Sequence, residues 1–211
     1  MTQPSKIRVL SVDDHPLIRD GIAFAVQSQP DMEMIGEATN GAEALAAYGR
    51  CLPDVTLMDL QMPGCNGIEA TAAIRAKWPQ AKIVVLTVYS GDIQPTQALK
   101  AGASGFLLKD ALRKELIGTI RDVHAGRKKL SAEIASRLAE NMAADGLTSR
   151  EVEVLHSVAA GYSNKRVGEE LAISDDTVKG HMRSIMSKLR ANDRTHAVLI
   201  AIKRGYFVSE V

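Results

Sequence analysis

Along the first 125 positions, short β-branched runs alternate with stretches whose apolar residues recur three and four apart. The runs are IRVLSV (7–12), MEMIGEAT (32–39), DVTLMD (54–59), KIVVLTV (82–88) and GFLL (105–108), and helical patterns begin near Pro16, Ala42, Gly67, Ile93 and Ala111. Strand patterns that alternate with helical ones predict successive βα units and a parallel sheet. The first, third and fourth runs are almost continuously apolar, as strands covered by helices on both faces must be, whereas the second is patchier and suits an edge. The expected fold is an α/β doubly wound five-stranded parallel sheet.

The pattern then changes. Residues 127–146 (RKKLSAEIASRLAENMAADG) are Ala-rich and charged, with Ile134 and Leu138 at helical spacing, and predict a partly helical linker ending at Asp145-Gly146. Thr148-Ser-Arg-Glu151 has the form of a capping box, in which the Thr side chain and the Glu side chain each satisfy a backbone N–H at a helix start. Three further helical stretches follow near 164–172, 175–190 and 194–204, with no strand pattern among them, so residues 147–211 read as a small all-α domain. The domain limits are 1–126, 127–146 and 147–211.

Composition adds two constraints. A chain of 211 residues is long for one small core, which agrees with two domains. The 26 basic and 25 acidic side chains give a net charge of +1, and its division is −2 for 1–126, +1 for 127–146 and +2 for 147–211. Global charge therefore points to no nucleic-acid or membrane partner, and any such contact must depend on placement. The cysteines, Cys51 and Cys65, match no metal-ligand spacing and suit a reducing cytoplasm. No apolar run reaches the ~18 residues of a membrane helix, so secretion and membrane insertion are not expected.

The informative polar residues of the first domain share one kind of position. Asp13 and Asp14 end the first strand, Asp59 ends the third, Thr87 lies near the end of the fourth and Lys109 follows the fifth. In an open parallel sheet these positions converge on the carboxyl edge, where ligands bind beside the topological switch point. A lone Asp at a strand end is ordinarily a cap or turn residue. Three carboxylates held together repel one another and suit a hard divalent cation, with Mg²⁺ the natural occupant. A cation beside a carboxylate, with an ammonium and a hydroxyl, suits attack of that carboxylate on a phosphoryl group. His15 opens a helix beside Pro16 and reads as solvated. Gly64 and Gly67 in MPGCNG serve the loop, since neither P-loop nor dinucleotide spacing is present.

Residues 7–125 resemble a response-regulator receiver domain, through SVDDHP, LMDLQMPG, VVLTVYS and GFLLKD. The resemblance implies a flavodoxin-like fold in which Asp59 accepts a phosphoryl group from a sensor histidine kinase. It further implies that Asp14, Asp59 and the backbone carbonyl of Gln61 ligate Mg²⁺, with Asp13 acting through metal-bound water. Thr87 and Lys109 would grip the phosphoryl oxygens. Phe106 takes the switch position where Tyr is common, so the hydroxyl is missing while an inward-turning ring is retained. Gln61 and Tyr89, two places past Asp59 and Thr87, are expected to set phosphoryl lifetime.

In DDTVKGHMRSIMSKLR (175–190), Val178, Met182, Ile185 and Leu189 form a buried stripe, while Lys179, Arg183 and Ser187 follow one another on a neighbouring face beside Gly180. Ser174 is the expected N-cap, with Asp175 and Asp176 favourable in the first turn. A short turn separates this helix from the one over 164–172, which is the form of a helix-turn-helix. Charged helix faces are usually just solvated. Residues 147–207, however, are similar to the LuxR-type DNA-binding domain in register across LTSREVEVL, GYSNKRVGEELAIS, DDTVKGHMRSIMSKL and RTHAVLIAIKRG. With the receiver, this is the NarL/FixJ-type architecture.

That resemblance implies that the 175–190 helix enters the major groove of double-stranded DNA, with Lys179, Gly180 and Arg183 at base edges. Gly180 can offer only close backbone approach. Asn164, Lys165 and Thr177 would hold phosphates, which set register without reading sequence. Arg166 is either a further phosphate contact or a solvated neighbour, and Glu169 and Glu170 are unlike groove-facing residues. The last helix, with Val198, Ala201 and Ile202, either contributes a homodimer contact or closes the core. The function implied is a phosphorylation-controlled transcriptional regulator, not an enzyme, that dimerises when phosphorylated, binds operator half-sites and has its 175–190 helix obstructed by the unphosphorylated receiver.

Three other readings compete. Aspartyl-phosphate hydrolases of the haloacid type place a DxD pair after the first strand, whereas this chain has adjacent Asp13-Asp14 and its candidate nucleophile after the third. A phosphorylation-independent receiver conflicts with the complete acid, Thr and Lys set. A pure protein-interaction output would lack the steep salt dependence of phosphate contacts.

Overall fold

The computed structural model describes residues 5–88, 93–128 and 146–206. Two compact units result. The first is built from β1 (Ile7–Val12), α1 (Pro16–Gln27), β2 (Met32–Ala38), α2 (Gly41–Cys51), β3 (Val55–Asp59), α3 (Gly67–Lys77), β4 (Ile83–Thr87), α4 (Ile93–Lys100), β5 (Gly105–Leu108), a 3-10 turn (Lys109–Ala111) and α5 (Leu112–His124). All strand pairs are parallel, in the order β2-β1-β3-β4-β5, so the five-stranded parallel sheet expected from the pattern is present.

Strand alternation divides the core. Val9 and Leu57 face one side with Ile22 and Val26 of α1 and Leu116, Ile120 and Val123 of α5. Their neighbours Leu10 and Met58 face the other with Ala44, Ala47 and Tyr48 of α2 and Ala70 and Ile74 of α3. A period of two places successive side chains on opposite faces, and helices cover both. β3 and β4 are buried at every position, while β2 has exposed and half-buried positions and lies at an edge.

The strands stop slightly short of their apolar patterns. Asp54 stands outside β3 because its carboxylate accepts the Arg8 N–H at 2.8 Å while its own N–H donates to the Arg8 carbonyl at 2.8 Å. Thr39 leaves β2 because its N–H and hydroxyl both donate to Glu43, at 2.8 Å each. At the other ends, Lys82 precedes β4 and sends its ammonium to the His124 carbonyl, 2.6 Å away, and Val88 is exposed beyond the sheet. Asn40 and Asn66 cap α2 and α3 through side-chain oxygens that accept backbone N–H groups of the first turn.

The second unit contains α6 (Ser149–Ala159), α7 (Asn164–Leu171), α8 (Asp175–Leu189) and α9 (Arg194–Arg204). Thr148 and Glu151 form the expected capping box, and Ser163, Ser174 and Asp193 cap the next three helices. Val154, Leu155, Val167, Val178, Met182, Ile185, Leu189, Ala197 and Ala201 make one core, so the α8 stripe is buried as its spacing requires. α7 and α8 are joined by Ala172, Ile173 and Ser174, with Ala172 at φ 54°. The turn is tight enough that a Cβ at Gly168 would lie 2.6 Å from the Ile173 carbonyl oxygen, which only glycine avoids. Ala201 is buried and Val198 packs on the core, placing α9 as its closing helix. The expected linker falls mostly on residues 129–145, outside the described residues.

Candidate functional site

The sheet order reverses between β1 and β3, and the acidic residues lie at the carboxyl edge beside that switch point. Asp13 and Asp59 are buried, while the Asp14 side chain remains 30% exposed. Lys109, brought in by the turn after β5, places its ammonium 2.7 Å from Asp13 Oδ2 and 2.9 Å from Asp59 Oδ2. One ammonium thus bridges two buried carboxylates. Burial pushes the Asp59 carboxyl above its ordinary range; Lys109 opposes this, and the Asp13 charge adds to it. Burial by itself would lower the Lys109 ammonium, but its bonds to the same two carboxylates outweigh that and hold it above the usual lysine range.

Local geometry keeps Asp59 in place. Its carbonyl oxygen would lie 1.9 Å from a Cβ at Gly67, so the start of α3 can approach β3 only because that residue has no side chain. The Gln61 N–H donates to the Asp59 carboxylate, while Gln61 Nε2 is buried with no hydrogen-bond partner among the described residues. Thr87 is buried at the end of β4, level with Leu108 in the strand pairing, and its hydroxyl donates to Gln94 Oε1 at 3.1 Å. Phe106 is buried beside Val85. Tyr89 lies outside the described residues.

His15 is solvated as expected but also touches the acidic pair. Its side chain is 65% exposed, yet Nδ1 lies 2.8 Å from Asp14 Oδ1 and 3.3 Å from Asp13 Oδ1. Donor atoms of Asp13, Asp14, His15 and Asp59 all fall within 4.8 Å of one another. Sequence reasoning also missed Arg19, whose guanidinium donates to the Asp13 carbonyl at 2.6 Å, and Gln94. Arg19 lies one helical turn past His15, but no spacing signals a bond to a carbonyl six residues back.

In the helical unit, Lys179, Gly180, Arg183 and Thr177 are exposed on α8, and Lys165 is exposed on α7 with Asn164 half-buried. Lys179 is not a free cation: its ammonium pairs with Asp175 Oδ2 at 2.6 Å and Asp176 Oδ1 at 3.0 Å, which raises its affinity for the proton. Thr177 exchanges a hydroxyl contact of 2.8 Å with Ser174. Arg166 stacks on the Tyr162 ring at 3.8 Å, a third role beside the two weighed from sequence.

Glu151 does more than cap. Its carboxylate accepts from Ser184 at 2.6 Å and from Lys188 at 2.8 Å, tying α6 to the C-terminal half of α8. Burial acts against the charge, but Lys188, Ser184 and Thr148 together hold the carboxyl down to about 2.

Comparison with known proteins gives two family matches. The response regulator receiver domain matches residues 9–121, and the bacterial regulatory proteins of the luxR family match residues 145–201. The transcriptional regulatory protein LiaR of Bacillus subtilis (strain 168) is 41% identical over 203 residues, covering 92% of this chain and 96% of LiaR. The response regulator protein VraR of Staphylococcus aureus (strain Mu3 / ATCC 700698) is 37% identical over 204 residues, with 94% and 98% covered. Among solved structures, a LuxR-family two-component response regulator from Aurantimonas sp. SI85-9A1 is similar with a TM-score of 0.62 and 37% identity, covering 65% of this chain and 99% of that one.

Proposed function

Because the chain belongs to the response regulators, transcriptional regulators that join a receiver to a LuxR-family DNA-binding domain, we propose that Asp59 is its phosphoacceptor. The observation that carries this is Lys109 bridging Asp13 and Asp59 at the switch point. An Asp59 carboxylate oxygen attacks the phosphorus of a kinase phosphohistidine, a P–O bond forms, the P–N bond breaks and the imidazole leaves with its electron pair. Lys109 then exchanges a carboxylate for a phosphoryl oxygen at the moment charge moves there. The Thr87 hydroxyl turns from Gln94 to a second phosphoryl oxygen, and Phe106 keeps its inward place beside β4.

The carboxylate oxygens of Asp13, Asp14 and Asp59, gathered within 4.8 Å, fit Mg²⁺, a hard set of the kind that ion takes; Asp14, Asp59 and the Gln61 carbonyl would hold it directly and Asp13 through water. Mg²⁺ would supply positive charge to the phosphoryl oxygens. Gln61, whose side-chain nitrogen Nε2 has no hydrogen-bond partner among the described residues, sets the lifetime of the phosphoryl group together with Tyr89. Substitution of either residue changes the dephosphorylation rate, and unchanged rates remove that role.

The output is duplex DNA. α8 enters the major groove with Lys179 and Arg183 at guanine acceptors, while Asn164, Lys165 and Thr177 hold phosphates. A phosphorylated homodimer then meets two half-sites about one helical turn apart. The limits 1–126, 127–146 and 147–211 describe receiver, linker and DNA-binding domain. Full-length protein treated with a small phosphodonor and Mg²⁺ is expected to gain one phosphoryl group on Asp59 by intact mass and to bind DNA more tightly. An Asp59→Asn protein that gains both equally overturns the proposal. Equal DNA affinities for the unphosphorylated full chain and residues 147–211 would remove obstruction of α8 by the receiver.

A further inference from the structure

Glycine is, after proline, the least favourable residue inside a helix, and Gly180 sits in the middle of the 15-residue α8. Nothing among the described residues requires it. Its φ is not positive, and a Cβ built there would meet no heavy atom within 4 Å. Gly168, by contrast, is demanded by the Ile173 carbonyl. Gly21 and Gly118 share the open surroundings of Gly180 but lie on receiver helices. Gly180 alone of the three lies on the exposed face of α8, beside Lys179 and Arg183.

On a helix surface the residues three and four positions away are the neighbours. Here they are Asp176, Thr177, Arg183 and Ser184, of which the first three are exposed. The bare Cα is therefore the floor of a pit one side chain deep. The floor itself, a bare Cα, carries no donor or acceptor, so Gly180 offers no hydrogen bond to any base edge. Asp176, at its rim with a side chain 91% exposed, disfavours a phosphate oxygen there. The one apolar projection in the major groove is the C5-methyl group of thymine.

We propose that Gly180 is a specificity-determining position whose missing side chain admits a thymine methyl group between the bases met by Lys179 and Arg183. This rests on the DNA-binding reading of α8 above. Lys179 and Arg183 select by hydrogen bonds, and Gly180 selects by shape.

The test uses full-length protein, treated with phosphodonor and Mg²⁺, to recover duplexes from a randomised pool. Each recovered thymine is then replaced by uracil, which lacks only the methyl group. At one position per half-site the replacement weakens wild-type binding about fourfold, the worth of burying one such carbon. Gly180→Ala binds the thymine duplex about tenfold or more weakly, because two methyl groups compete for one space, and uracil at that position restores it. In the same protein the helical domain melts about 4–8 °C higher, since alanine favours the helix and meets no neighbour. Stability up with affinity down separates lost shape from lost folding. Equal binding of the thymine duplex by variant and wild type, no uracil-sensitive position, or no restoration by uracil would each overturn the proposal, as would a lower melting temperature. Failure to recover any duplex, or binding insensitive to salt, would instead overturn the DNA-binding reading beneath it.

Discussion

Two lysines in this protein are each held by two aspartates, and the two arrangements behave differently. Lys109 lies between Asp13 and Asp59, from strands far apart in sequence, with 9% of its side chain exposed. Lys179 lies between Asp175 and Asp176, one turn back on its own helix, with 48% exposed. The buried trio is little exposed to solvent and so weakly screened; the lysine is needed to tolerate its partners and is preorganised for whatever negative charge arrives between them. The exposed trio is screened by water and salt and yields to a stronger anion. The same residue types make a fixed electrophilic site in one place and a releasable contact in the other. Between the extremes stands Lys188 with Glu151, at 25% and 5% exposure.

Removing one member of each set orders the three by burial. Lys109→Met should cost the receiver about 3–5 kcal/mol, because Asp13 and Asp59 are left facing each other without a counter-charge. Urea denaturation measures it, and pairing the change with Asp59→Asn should recover much of the loss. Equal losses in the single and double variants would break the distinction between buried and exposed sets.

Glu151→Gln should cost the helical domain about 3 kcal/mol at neutral pH, from a carboxyl held about 2 against an ordinary 4.5. The folded value is the lower one, so this stabilisation is complete above pH 4.5 and disappears as pH falls towards 2. Chemical denaturation at neutral and acid pH should therefore show wild type and variant converging in acid. A constant gap between them would mean that the loss is steric.

Asp176→Asn should leave thermal stability unmeasurably changed, since that side chain is exposed and Lys179 keeps Asp175. Its effect should appear in DNA binding, as a few-fold gain on non-specific duplex and a salt dependence steeper by about one unit, because a repelling charge is gone and Lys179 is freer. Fluorescence anisotropy over a salt series reads both. A variant that instead loses stability would place the α8 lysine with the buried set.

The sequence pattern anticipated much of this. Strand runs, helix starts, the edge position of β2, the capping box at Thr148 and the buried stripe of α8 are all local, and near neighbours in sequence decide them. The convergence of Asp13, Asp14, Asp59, Thr87 and Lys109 was legible too, because a parallel sheet sends every strand end to one edge. The clasp of Lys179 had a readable signal in acids three and four places before it, although Asp175 and Asp176 were expected to serve only the helix dipole. Glu151 was legible as a cap, but its bonds to Ser184 and Lys188 cross from one helix to another, and no local spacing announces them.

What the sequence determined by itself, then, is the order and type of elements, the edge on which the acidic residues meet and the face of α8 that stays wet. These follow from periodicity and capping, which act over a few residues. Only the tertiary structure decided which charges are paired, how deeply each is buried and why particular glycines are required. Gly67 is needed by a carbonyl and Gly168 by a turn, while Gly180 is needed by nothing among the described residues. The physical reason is distance: electrostatic strength and steric exclusion depend on ångströms of separation and on the water removed between groups, and the folded chain alone sets both.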